Sequence, residues 1–154
     1  MSQVKAPVAE GGCQCGAVRF AFYAPLENAH ACHCRMCQRA VGGAFALLAG
    51  GKKENFAWTK GAPAFYASSN VAKRGYCRDC GTPLSFAYDM PEARTYVTIG
   101  ALDDPGAAPI LMQYGVESRW SWVRFCEDVP EEETGAASEE AAAFVAKIKS
   151  NQGP

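Results

Sequence analysis

Seven of the eight cysteines fall into three groups: Cys13-Gln14-Cys15, Cys32-His33-Cys34-Arg35-Met36-Cys37 and Cys77-Arg78-Asp79-Cys80. Thiolate sulfur is a soft donor that suits zinc. Zinc takes four tetrahedral ligands when it only braces a fold, and three protein ligands when one position stays open for chemistry. The two outer pairs supply four sulfurs and the middle group three. The grouping therefore predicts two zinc ions per chain, one structural on Cys13, Cys15, Cys77 and Cys80, and one catalytic or ligand-binding on Cys32, Cys34 and Cys37. Disulfides are the weaker reading, because a chain of 154 residues that is 49% apolar can build a core without covalent staples.

The residues around the thiols favour the same division. Cys15-Gly16 and Cys80-Gly81 each place glycine directly after the last thiol and then run into an apolar segment. Glycine lets the backbone turn tightly and aim amide N–H groups at a thiolate. The middle group runs instead into Gln38-Arg39-Ala40-Val41 before Gly42-Gly43, which reads as a brief helical turn whose first amides would acidify the thiols. His33 lies between two ligands in an extended stretch, so its side chain is expected on the opposite side from theirs. His30 reads as a surface or loop residue. Cys126 reads as a buried packing cysteine, and Trp58, Trp120, Trp122, Phe65 and Tyr66 as core.

The elements that must position these groups are short strands. Val18, Phe20 and Phe22 alternate with Arg19, Ala21 and Tyr23, a period of two. Similar segments are 44–48, 55–59, 64–68, 71–76, 84–88, 95–99, 110–114 and 120–125, divided by turn residues such as Gly50-Gly51 and Asp103-Asp104-Pro105-Gly106. The fold class is therefore mainly β, sandwich- or barrel-like, with one C-terminal helix. Ser138 caps that helix, Glu139 and Glu140 sit in its first turn, Lys147 and Lys149 in its last, and Phe144 and Ile148 share a face. Residues 1–10 read as a flexible arm, 11–130 as the zinc-binding β domain, and 131–154 as an acidic linker, with Glu131, Glu132 and Glu133, followed by the helix.

Charge and hydropathy remove several classes of function. The net charge of -1 hides eight basic residues against two acidic ones between Cys32 and Cys80, a local +6 that favours a small anion or offsets thiolate charge. A sequence pI of 6.1 speaks against nucleic acid as partner. No apolar run is long enough for a membrane span, and Met1 to Gly12 lacks the apolar centre of a secretory signal, so a cytoplasmic location is expected. Nothing in the sequence fixes the oligomeric state.

Gly12-Cys13-Gln14-Cys15-Gly16, the Cys32 to Cys37 run and Tyr76-Cys77-Arg78-Asp79-Cys80-Gly81 together resemble the glutathione-dependent formaldehyde-activating enzyme family, which includes centromere protein V. The resemblance spans roughly Gly11 to Trp122. It implies a β-tent fold of short antiparallel strands around zinc, with Cys13, Cys15, Cys77 and Cys80 as structural ligands and Cys32, Cys34 and Cys37 as catalytic ones. The histidine that members carry shortly before the last-third tryptophan is missing between Ile110 and Trp120. The implied activity is that of a carbon–sulfur lyase of the S-(hydroxymethyl)glutathione synthase type, with glutathione and a small aldehyde, formaldehyde, as partners.

A zinc with three thiolates keeps a net negative charge, which suits an incoming thiol better than water. Arg35, Arg39, Lys73 and Arg74 are candidates to hold the tripeptide's two carboxylates. Two other readings stand beside the enzyme: a glutathione or thiol carrier without turnover, and a structural zinc module for a protein partner. Ligand exchange at the middle group separates the last from the other two. Elemental analysis of the reduced protein should give close to two zinc ions per chain; a value of one or none, with oxidised thiols, would refute the metal reading.

Overall fold

Gly, Pro and Asn breaks divide the apolar runs into eleven strands and two α-helices among residues 5–149, the part of the chain that the computed structural model describes. In chain order they are β1 (Ala9–Gly12), β2 (Arg19–Phe22), β3 (Glu27–Cys32), α1 (Arg35–Val41), β4 (Ala46–Lys52), β5 (Phe56–Lys60), β6 (Ala64–Ala67), β7 (Ala72–Tyr76), β8 (Pro83–Tyr88), β9 (Arg94–Thr98), β10 (Met112–Tyr114), β11 (Glu131–Glu132) and α2 (Glu139–Lys147). The class is mainly β with a C-terminal helix, as the sequence indicates.

The strands make a three-stranded sheet, β1-β2-β5, and an eight-stranded sheet, β11-β10-β3-β4-β9-β8-β7-β6. Pairing is antiparallel except at one end of the large sheet, where β3, β10 and β11 run parallel. The main core lies between the sheets. Phe20 and Phe22 are fully buried against Phe56 and Trp58 on one side and Ala29, Ala49, Leu84 and Val97 of the large sheet on the other. The rings around Phe20 stand 5.9 Å from it at both Phe56 and Trp58, edge-on in the case of Trp58.

The large sheet also buries its second face. On β4, Ala49 enters the main core, while Ala46 and Leu48 join Cys37 in a separate cluster with Cys32, Cys34, Val41, Phe86 and Tyr96. On β9, Val97 goes to the first face and Tyr96 to the second. This second face carries α1 and the middle cysteine group.

Several elements differ from the sequence expectation. The segment 120–125 alternates correctly but forms turns and coil, because the edge of β10 that it would need is paired with β11. Trp122 is consequently 75% exposed and Trp120 half-buried, the two rings lying 5.3 Å apart. Phe65 and Tyr66 lie on edge strand β6 and are exposed rather than core. β3, with little β-branched or aromatic content, is held as a strand by its neighbours β4 and β10. β1 begins inside the segment read as an arm, because its backbone pairs with β2; Glu131 and Glu132, read as linker, form β11 in the same way.

Ser138 Oγ accepts from the Ala141 amide at the start of α2, as expected of a cap, and the helix ends at Lys147, before Lys149. Phe144 packs edge-on against Tyr88 of β8 at 5.4 Å. Asn70 then holds the end of the helix, donating to the Lys147 carbonyl at 3.0 Å and accepting from the Lys149 amide at 2.7 Å. Phe20→Ala should lower stability by about 3–5 kcal/mol in urea unfolding, since the three aromatic neighbours cannot collapse into the space.

Candidate metal centre

Both outer cysteine pairs sit at tight turns ending in left-handed glycines, Gly16 (φ 77°) and Gly81 (φ 76°). A side chain at either position would be strained by that backbone conformation alone. The turns lie next to β2 and β8, and the two sheets bring them together. Cys13, Cys15, Cys77 and Cys80 place their sulfurs within 4.8 Å of one another. Cys13 Sγ lies 3.5 Å from Cys15 Sγ, which lies 3.7 Å from Cys77 Sγ. A tetrahedron of sulfurs about 2.3 Å from zinc has edges of about 3.8 Å, so the set fits that ion.

Backbone and hydroxyl donors point at the same sulfurs. The Val18 amide donates to Cys13 Sγ at 3.2 Å, and Cys80 Sγ is 3.1 Å from Thr82 Oγ1. Burial alone would push the Cys13 thiol up, but the Val18 amide and the Cys15 and Cys77 thiols more than offset it. The hydroxyl and amide of Thr82 hold Cys80 down to about 6. Cys15, although the Ala17 amide favours its thiolate, is pushed up to about 12 by sharing its proton with Cys13 and Cys80.

The middle group lies on the second face of the large sheet. Cys32 ends β3, Cys34 caps α1, and Cys37 sits in the first turn three residues later, on the same side of the helix. Their sulfurs also lie within 4.8 Å of one another. Cys37 is the most acidic: hydrogen bonds from Cys32 and Cys34, together with the Arg74 guanidinium, hold it down to about 3 against the effect of burial. Hydrogen bonds to Cys34 and Cys37, together with burial, push Cys32 up. A thiolate supported by two neighbouring thiols is a donor set ready for a cation.

Arg74 is buried, donates from Nη2 to Cys37 Sγ at 3.3 Å, and lies 4.8 Å from the Phe86 ring centroid. The other three cations proposed for the tripeptide's carboxylates are elsewhere. Arg35 bonds to Gln38, Arg39 is on the exposed side of α1, and Lys73 stands over Phe65, because β7 alternates and only Arg74 turns to this face.

His33 points to the opposite side from Cys32 and Cys34, as the extended geometry predicts. It is fully buried, its Nε2 is 2.8 Å from Gln113 Oε1, and its ring packs on Phe45. His30 is a correction: it is buried on β3, with its ring edge-on between Tyr96 and Tyr114. Cys126 is half-buried rather than buried and belongs to neither sulfur group; its backbone is left-handed (φ 47°) and its carbonyl accepts from Gln113 Nε2.

Among the described residues, the three-sulfur group opens onto a cavity of about 320 Å³ that none of the four outer sulfurs lines. Cys32, Cys34 and Cys37 lie beside Arg74, Phe86, Tyr88, Tyr96 and Tyr114, with Phe144, Val145 and Ile148 of the C-terminal segment also in its walls. The sequence did not single out these tyrosines, nor Asn28 and Gly115, which also line the cavity. The one available signal was Gly115 after a strand, and it matters: its φ is 65°, and a Cβ there would stand 2.8 Å from the Cys34 nitrogen.

Comparison with known proteins agrees with this geometry. The model of the glutathione-dependent formaldehyde-activating enzyme family matches residues 8–117, and the chain belongs to that family. An uncharacterized lyase of Schizosaccharomyces pombe is 32% identical over 82 residues, covering 53% of this chain and 59% of that protein. A crystal structure of a Rhodobacter sphaeroides protein shares the fold, with a TM-score of 0.51 and 22% identity over 80% of this chain and 99% of the other. Gly115→Ala should displace Cys34 and lower the zinc affinity of the three-sulfur group; competition with a chromophoric chelator would measure it, and unchanged zinc binding would show that the close approach is unimportant.

Proposed function

From that membership and the arrangement of the thiols, we propose that the chain joins glutathione and formaldehyde into S-hydroxymethylglutathione, as a carbon–sulfur lyase of the synthase type. In this reading Cys13, Cys15, Cys77 and Cys80 hold structural zinc, and Cys32, Cys34 and Cys37 hold the zinc of the reaction. The observation that carries it is the contrast between the groups: four sulfurs close around one point, whereas three border a cavity. When bound at the three thiols, zinc would supply its open position to the glutathione sulfur and favour the thiolate form of that sulfur.

The remaining work falls to the chain. Arg74 offsets the negative charge gathered on the three sulfurs and, stacked on Phe86, is fixed in place for it. The cavity walls bring the carbonyl carbon close to the thiolate and limit its orientations. A carbon–sulfur bond forms as the carbonyl π pair moves to oxygen. Water entering through the mouth protonates that oxygen, so no group is oxidised or reduced. The tripeptide's charged ends stay at the mouth, in water.

No helix among the described residues is long and apolar enough to cross a membrane. A chain with this many metal-binding thiols suits the reducing cytoplasm.

Two measurements test the proposal together. Glutathione should bind the zinc-loaded protein with release of a proton, read by calorimetry in buffers of different ionisation enthalpy, and adduct formation should exceed the spontaneous rate. Binding without acceleration would leave a carrier; no binding at millimolar glutathione would leave a structural module. Cys80→Ser should lose most of the domain's stability, whereas Cys34→Ser should stay folded and lose one zinc together with glutathione binding.

A further inference from the structure

Building on the proposed joining of a thiol to an aldehyde, we propose that the site takes, besides formaldehyde, aldehydes that carry an apolar chain of several carbons, and that α2 forms the wall that selects them. The cavity beside Cys32, Cys34 and Cys37 measures about 320 Å³, and formaldehyde has a single carbon and no apolar group to place there. Hydrocarbon and ring surfaces dominate the walls: Leu48, Phe86 and Tyr88 from the sheet, and Phe144, Val145 and Ile148 from the C-terminal segment. Such a lining favours apolar surface and gives little to a charged ligand.

Charge excludes the tripeptide body from the same space. Among the described residues that line it, Arg74 is the one guanidinium or ammonium group and Glu132 the one carboxylate. Arg74 is already bonded to Cys37 and stacked on Phe86, and Glu132 repels a carboxylate. Two buried glutathione carboxylates would meet a single guanidinium there and one like charge, at a cost that favours the mouth. The interior is left for the substituent of the aldehyde.

The wall belongs to this chain beyond its family segment, which ends at residue 117. It is docked at two points, by the contact of Phe144 with Tyr88 at 5.4 Å and by Asn70, which grips the backbone of Lys147 and Lys149. The reaction is unchanged by the longer substituent. Sulfur bonds to the carbonyl carbon, the π pair passes to oxygen, and the proton lost by the thiol is balanced by the one oxygen gains from water. Selection is therefore a matter of binding alone.

An inert probe separates this inference from the reaction. In isotope-edited NMR of the zinc-loaded protein, 1-hexanol should shift the Val145 and Ile148 methyls and bind at least about tenfold more tightly than ethanol, as several methylenes entering an apolar pocket require. Phe144→Ala should weaken hexanol binding by about tenfold, with Phe144→Leu restoring most of it, and Val145→Trp should block it by filling the space. With glutathione, hexanal should be preferred to formaldehyde in kcat/KM. Hexanol binding no better than ethanol, or unaffected by Val145→Trp, overturns the inference, even if formaldehyde is turned over. Selective hexanol binding with no turnover of either aldehyde supports the apolar site and overturns the joining reaction instead.

Discussion

Cys15 and Cys77 are 62 residues apart in the chain and 3.7 Å apart at their sulfurs. Closing such a loop costs entropy that grows slowly with length, and four thiols crowded together also repel as soon as they ionise. A divalent ion at their centre would remove the repulsion and add its binding energy to folding. The rest of the molecule depends on that closure. The turns at Gly16 and Gly81 lead into β2 and β8, so fixing the sulfurs fixes how the small sheet lies on the large one. The phenylalanine core between the sheets holds the same arrangement from inside.

The large sheet also keeps two kinds of chemistry apart. Alternation along β3 sends Ala29 toward the main core and His30 and Cys32 toward the cavity. His33 continues the alternation and is caught from behind by Gln113. Because Gln113 uses its Nε2 to donate to the Cys126 carbonyl, its Oε1 faces His33 and accepts a hydrogen bond from Nε2–H of the ring. The histidine between Cys32 and Cys34 thereby anchors the loop that bears them, while leaving the sulfurs free to face the other way.

The sulfur grouping was legible because ligand spacing is local: two residues, three residues, and a glycine that frees the turn. The mainly β class and the capped terminal helix were legible from period and punctuation. What escaped was long-range. The segment 120–125 has the alternation of a strand but no edge to join, since β11 occupies it. β3 has a weak strand composition and gains its conformation from β4 and β10. His30, a loop residue by composition, is buried because Tyr96 and Tyr114 close over it. Of four candidate cations, only Arg74 reaches the thiols, a result that depends on strand register and not on charge density.

β6 ends the large sheet as a strand of four residues, with Phe65 and Tyr66 exposed. A strand at the border of a sheet is where a further chain could add, and aromatic rings there make it more adhesive. Its brevity is the counterweight: an added chain finds only a few backbone bonds there, and Pro63 at its start contributes no amide donor. The Lys73 ammonium over Phe65 places a hydrated charge beside the same edge. Among the described residues, the sheet border with the most exposed aromatic surface is thus also a short and charged template for an added chain.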